Sequence, residues 1–323
     1  MIQRINYALQ ELQAHFTDRH WWRNRINNRI NKPFQQQIYP TYSDAVQVME
    51  EDWDNLIILD GCRADVFEEV VSVDQFDDYK RVKSLGGATG EWSSRNFADG
   101  EYGDTVYING NPNPSRLAGD SFHHMEEVWR YSFDDEKLTV LPEDIITEAK
   151  HALTEYPKKR FIIHFMQPHR PFLDTEDLQF SSWAPDIEDG KIKGTTQGST
   201  DHDGPDKPWD ALEHGLVDKG TLWEAYRRNL EFVYEEAGTF WEEIPGKTVI
   251  TSDHGNLVGE RDFPVPVRQF GHSGGSRHPN LITVPWAIHN KGTRREVKKD
   301  EMNSESQATE SELKQRLQDL GYV

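Results

Sequence analysis

Apolar residues along this chain follow two rhythms. NLIILD (55–60) and RFIIHF (160–165) are unbroken apolar runs, as buried parallel strands are, and KTVITSD (247–253) repeats the pattern. RVKSLG (81–86), TVYING (105–110) and LITVPWAIH (281–289) read as further strands. Between the runs the apolar spacing turns helical. Ala64 to Val70 fits a short helix, and so does the stretch near 43–51. PEDIITEAKHALTEY (142–156) opens with Pro142 and places acids in its first turn, both helix-start signals. Residues 221–243 put Leu222, Tyr226, Leu230, Val233 and Ala237 on one face. Strands alternating with helices predict an α/β fold, a three-layer α/β/α sandwich around a mostly parallel sheet.

The ends of the chain and one internal stretch differ. Residues 3–30 read as a helix with Ile5, Leu9, Leu12 and Phe16 at helical spacing, and with Arg4, Arg19, Arg23, Arg25 and Arg29. Residues 1–50 thus form a helical arm. It either packs on its own domain or rests on a membrane surface or partner. Residues 51–323 form the main domain. Within it, 174–220 is polar and rich in Gly, Asp and Ser, and reads as a surface insertion or lid. In the tail, Thr309 and Glu312 make a capping box ahead of Leu313, Leu317 and Leu320.

Composition narrows the classes. Across 323 residues, Asp+Glu 56 against Lys+Arg 36 gives a net charge of -20, which argues against nucleic-acid binding. Such acidity suits a salt-adapted, halophilic protein or an ordinary acidic cytosolic one. A single cysteine excludes an internal disulfide and fits a reducing compartment. The start lacks the apolar core of a secretory leader, and no stretch approaches the roughly 18 apolar residues that cross a bilayer. A soluble, cytoplasmic protein is expected.

The strand ends carry the chemistry. Asp60 closes the first apolar run, His164 lies near the end of another with His169 five residues on, and Asp253-His254-Gly255 closes a third. Gly271-His272-Ser273 follows. In parallel sheets, sites gather beyond the carboxyl ends of the strands. Carboxylates with imidazoles suit Zn²⁺ or Mn²⁺, and Mg²⁺ or Ca²⁺ less. Gly255 would let the chain turn while its neighbours aim at one point. Each residue also has a plain structural reading: an Asp as a helix cap, a His as a satisfied core residue.

In order along the chain, these segments resemble the sulfatase-like branch of the alkaline phosphatase superfamily. The resemblance runs through NLIILDGCRADVF, HFMQPHRPF, VITSDHGNLVGE, GHSGGSRHPNLITVPW and LKQRLQDLGYV, from residue 55 to 323. It implies a metal-dependent hydrolase or phosphotransferase acting on phosphate esters. Asp60, Asp253 and His254 match the metal ligands. The nucleophile falls in SLGGATGEWSSRNF, and Thr89 is the choice, as a further metal ligand at the start of a 91–97 helix. Ser93 and Ser94 are the alternatives, and capping of that helix is the structural reading of Thr89.

His169 and His272 match residues that stabilise the transferring group or protonate the leaving group. His164, Arg63, Arg277 and His278 are candidate substrate contacts, with an Arg63–Asp65 structural pair as the other reading. One divalent cation is expected. A second, held by His164, His169 and His272, is the variant reading. The chain lacks the sulfatase cysteine motif, and Cys62 stands where a packed apolar residue is usual, so formylglycine chemistry and a sulfatase proper are disfavoured. The substrate would be a small-molecule, glycan or lipid-linked phosphate ester, or a sulfate ester. A catalytically silent binding or scaffold relative is the rival reading.

Overall fold

The computed structural model describes residues 10–38, 44–173, 175, 178, 186–188, 191–193, 208–300 and 314. Thirteen strands are present among them. They are β1 (Asn55–Leu59), β2 (Asp78–Lys83), β3 (Tyr102–Asn109), β4 (Phe122–Glu126), β5 (Phe133–Asp134), β6 (Thr139–Val140), β7 (Arg160–Phe165), β8 (Asp186–Glu188), β9 (Lys191–Lys193), β10 (Gly246–Thr251), β11 (Leu257–Arg261), β12 (Arg268–Gly271) and β13 (Thr283–Lys291). Seven form one sheet in the order β2-β13-β10-β1-β7-β3-β4. β10, β1, β7, β3 and β4 run parallel, and β13 is antiparallel to both its neighbours.

Side-chain alternation along β1 builds the layers. Ile57 and Leu59 join one core with Phe67, Ile145 and Leu230, from the helices Ala64–Val70, Pro142–Glu155 and Lys219–Glu243. Leu56 and Ile58 join the other with Trp53, Trp92 and Phe97, the last two from the helix Thr89–Phe97. Successive residues of a strand face opposite sides, so an unbroken apolar run means helices on both. The fold is the expected three-layer α/β/α sandwich with a mostly parallel central sheet.

Differences from the sequence reading are local. The last strand starts at Thr283, because His278 caps a helical turn at Pro279–Ile282. Near 43–51 the described residues hold only a 3₁₀ turn, Val48–Glu50. The hairpin of β11 and β12, the edge strand β4 and the helix Pro112–Ala118 were not anticipated. Within the polar insertion, Pro208–His214 is helical and buries Trp209. Most of the insertion, and the capping box at Thr309 and Glu312, lie outside the described residues. None of the described helices is long and apolar enough to cross a membrane.

The arm breaks at 16–18, then runs through Arg19–Ile26, a π-helical turn (Asn27–Asn31) and Lys32–Ile38. It is docked on the domain. Asn31 exchanges two 3.0 Å hydrogen bonds with the backbone of Val265. Gln35 Nε2 donates to Asp262 (2.5 Å) and Phe263 O (2.8 Å), and its Oε1 accepts from Arg277 N (2.7 Å).

Candidate active site

Parallel register brings the two carboxylates together. Ile58 of β1 pairs with Thr251 of β10, so Asp60 and Asp253 each lie two residues beyond the paired positions, at the carboxyl edge of the sheet. Ile58 also pairs with His164 of β7. All three side chains are fully buried. Gly61, at φ +67°, turns the chain away; a Cβ there would meet Asn256 Nδ2 at 2.8 Å. Gly255 is required by crowding instead, since its Cβ would lie 2.2 Å from Asn280 O.

Asp253 is held by one oxygen. Its Oδ1 accepts from Gly61 N (3.0 Å), His254 N (2.9 Å) and Ser252 Oγ (3.3 Å). Its Oδ2 has no hydrogen-bond partner among the described residues and lies 3.4 Å from His254 Nε2. That same Nε2 is 3.7 Å from Asp60 Oδ1 and 3.2 Å from Thr89 Oγ1. His254 Nδ1 faces the Gly255 carbonyl at 2.8 Å. A carbonyl only accepts, so Nδ1 carries a proton, and Nε2 is the nitrogen turned toward the two carboxylates. Asp60, Asp253 and His254 offer ligand atoms all within 4.8 Å of one another. Two carboxylate oxygens and an imidazole nitrogen, with a hydroxyl alongside, could hold a divalent cation.

The electrostatics fit the same point. Burial and the Asp60 charge push the Asp253 carboxyl up. Burial also opposes ionisation of Asp60, but the nearby imidazoles of His164, His169 and His254 hold it well below the usual carboxylate range. Two buried acids side by side invite a bound cation.

Thr89 is the first residue of its helix, and Ala88 occupies the cap position without a side-chain bond. Capping therefore does not explain Thr89, whose hydroxyl meets His254 instead. Of the alternative nucleophiles, Ser93 is buried one turn further along and Ser94 is exposed.

The other imidazoles form a rim. The His254 and His272 rings lie 4.4 Å apart, and those of His272 and His169 5.0 Å. β11 and β12 pair Leu257 with Gly271, which sets Asn256 beside His272; Asn256 Oδ1 meets His272 Nδ1 at 3.0 Å. His169 Nδ1 faces the Arg170 carbonyl at 2.8 Å. Burial pushes His169 down to about 4, against the pull of Asp60.

The four candidate substrate contacts have other partners. Arg63 gives Nε and Nη2 to Asp65 (2.8 and 2.6 Å) and Nη1 to Glu260 (2.7 Å) and Asn256 O (3.0 Å). Its guanidinium ties a helix start to β11, which is the structural-pair reading. Arg277 binds Glu91 (2.9 Å), clamping its loop to the first turn of the Thr89 helix. His278 accepts from Asn280 N (3.2 Å) as a cap. His164 sits beneath Asp60, with Nε2 3.7 Å from Asp60 Oδ2 and Nδ1 2.8 Å from the Tyr107 hydroxyl. It supports the carboxylate from within the core.

Sequence reasoning missed Asn111. Its Nδ2 donates to Asp60 Oδ2 at 2.5 Å, while its Oδ1 accepts from Asn113 N (2.9 Å). The signal was the alternation of Asn109, Asn111 and Asn113 straight after a strand. Asn256 was passed over as well, inside the quoted DHGN.

No protein-family model and no curated protein matches the sequence. Among solved structures, the chain is similar to the soluble domain of lipooligosaccharide phosphoethanolamine transferase A from Neisseria meningitidis (11% identity over 73% of this chain and 75% of that one, TM-score 0.46). It is similar to the integral membrane form of that transferase from the same organism (12%, 90% and 59%, TM-score 0.48). It also matches the C-terminal periplasmic domain of phosphoethanolamine transferase EptC from Campylobacter jejuni (14%, 72% and 77%, TM-score 0.45). These are loose likenesses. The chain itself resembles the sulfatase-like branch of the alkaline phosphatase superfamily in the order of its strand-end motifs, and it has the three-layer fold that this resemblance implies.

Proposed function

We propose that the protein is a metal-dependent enzyme of phosphate-ester chemistry, with Thr89 as nucleophile. The observation that carries this is the convergence at His254 Nε2. Thr89 Oγ1, Asp253 Oδ2 and Asp60 Oδ1 stand 3.2, 3.4 and 3.7 Å from it, brought from three places in the chain. Asp60, Asp253 and His254 would hold the cation, with Thr89 beside them. Zn²⁺ or Mn²⁺ is proposed from the mixed oxygen and nitrogen donors. When bound, such a cation acidifies a neighbouring hydroxyl and offsets charge on the transferring group.

The chain's own residues supply the rest. Thr89 gives up its hydroxyl proton to solvent, its Oγ attacks phosphorus as the bond to the ester oxygen breaks, and the phosphoryl group then passes from Thr89 to water or to a second hydroxyl. The positive end of the Thr89 helix would favour the charge on the attacked group. His272 is half-buried, and its Nδ1 is held by Asn256, so a protonated His272 would donate from Nε2 to the leaving oxygen. His169, kept neutral by burial, would present a lone pair rather than a proton. Hydrolase and transferase share this route up to the acceptor.

The test is metal content, together with turnover of an aryl phosphate, an aryl phosphodiester and an aryl sulfate. Wild-type protein should carry close to one divalent ion and cleave a phosphorus ester. Thr89→Ala should keep the ion and lose at least about 10³-fold in kcat. Absence of bound metal, with no turnover of any ester, would return the chain to the silent-scaffold reading.

A further inference from the structure

The N-terminal arm is built inside out. From Arg19 to Ile38 its buried side chains are polar: Asn27, Asn31 and Gln35. Trp21, Trp22 and Ile26 are half-buried, but in its second half Ile30 (46%), Phe34 (37%) and Ile38 (55%) stand exposed, as does Phe16 (71%) before the break. Ile30, Phe34 and Ile38 recur every four residues, so they form one strip. A helix docked through amides, with its apolar strip outward, is not using that strip to fold.

Charge identifies the occupant. Residues 10–38 carry Arg19, Arg23, Arg25, Arg29 and Lys32 against Glu11 and Asp18, in a chain of net charge -20. Arg23 is paired with Glu213, whereas Arg19 and Arg29 are exposed. An apolar strip that starts beside the exposed Arg29, on an arm whose exposed Arg19 is also cationic, matches an anionic lipid surface. A second copy of the chain fits less well. Pairing arm to arm would set arginines against arginines. The other exposed large apolar residues, Tyr131, Leu216 and Val297, are single side chains on separate elements.

We propose that this arm docks the protein on an anionic bilayer, with Ile30, Phe34 and Ile38 entering the headgroup boundary and the arginines facing lipid phosphates. Asn31 and Gln35 join the arm to the 262–278 segment that carries His272, so docking would hold the sheet edge at a fixed height above the membrane. The proposal stands apart from the catalytic reading.

The test is flotation of the full chain with vesicles of phosphatidylglycerol and phosphatidylcholine, and with phosphatidylcholine alone. The wild type should float with the anionic vesicles and stay down with the neutral ones. Ile30→Asp with Phe34→Asp should cut the bound fraction at least about tenfold without lowering the melting temperature, because both side chains are exposed. Three results would overturn it: a wild type that stays down with both vesicles, a double variant that floats like the wild type, or sedimentation showing a wild-type dimer that the variant dissolves while neither binds vesicles.

Discussion

Two regions of this molecule bury polar side chains completely, to opposite ends. On the arm, Asn31 and Gln35 are fully buried, and both ends of each amide are matched by Val265, Asp262, Phe263 and Arg277. At the sheet edge, Asp60, Asp253 and His254 are equally buried, but the matching stops short. Asp253 Oδ2 has no hydrogen-bond partner among the described residues, and the two acids repel. Arg63 and Arg277, buried nearby, are bound to Asp65, Glu260 and Glu91. Amides matched at both ends, as those of Asn31 and Gln35 are, hold a fold together, although Asn27 Oδ1 on the same arm is buried without a hydrogen-bond partner among the described residues. Buried polarity with like charges and an open valence is built around something it binds.

Asp253→Asn should break this contrast most severely. It removes a charged ligand while keeping the shape. Bound cation should disappear by elemental analysis, and kcat/KM should drop at least about 10³-fold. Metal-free stability should hold or rise, since the repulsion with Asp60 is gone. A variant that instead melts earlier yet keeps its metal and its turnover would make Asp253 a structural residue like Gln35. Asn111→Ala acts one layer out. With the Asp60 carboxylate no longer oriented, cation affinity measured by competition with a chelator should weaken about 10- to 100-fold.

What the sequence made legible follows the same divide. Asp60, His164 and Asp253–His254 interrupt or end apolar runs, and a polar residue there has few structural excuses. Thr89 came from the family resemblance and its glycine-rich setting, and its position as first helical residue, with Ala88 as cap, could not be read from spacing. In the sequence Arg63, Arg277 and His278 are candidate substrate contacts, with an Arg63–Asp65 pair as the other reading of Arg63, because isolated cations near a motif look available. Their partners Asp65, Glu260, Glu91 and Asn280 include residues far off in sequence, and only the folded chain pairs them. Asn111 escaped because an amide that orients a carboxylate resembles any turn asparagine. The hairpin that sets Asn256 against His272 is short and polar, with no apolar alternation to announce it.

Gln35→Ala tests the other region. It removes a donor from Asp262 and an acceptor from Arg277 N, both buried. Chemical denaturation should show a loss of about 1–3 kcal/mol. Turnover per folded molecule should stay within about twofold of wild type. Unchanged stability with collapsed turnover would show that the arm belongs to the site.

The subtlest readout is a pH dependence, and it is specific because it depends on the sign of one shift. The raised pKa of Asp253 means that its protonated form suits the metal-free fold. That contribution is present below the ordinary value of 3.8 and is lost as pH rises through the folded value. Asp60, shifted the other way, contributes fully above 3.8 and loses its contribution only in more acid solution. His169, lowered from 6.5 to about 4, adds stability as pH climbs between those values, so absolute melting temperatures mix opposing trends. The gap between cation-loaded and metal-free protein separates them. A cation displaces the Asp253 proton but leaves His169 neutral in both forms once pH exceeds its folded value. The gap should therefore widen from about pH 4 upward, at fixed free metal, until Asp253 is ionised without help. At a hundredfold excess over Kd it should correspond to about 2.7 kcal/mol. A gap that stays flat over this range would put Asp253 outside the ligand set, and the open valence at the sheet edge would need another occupant.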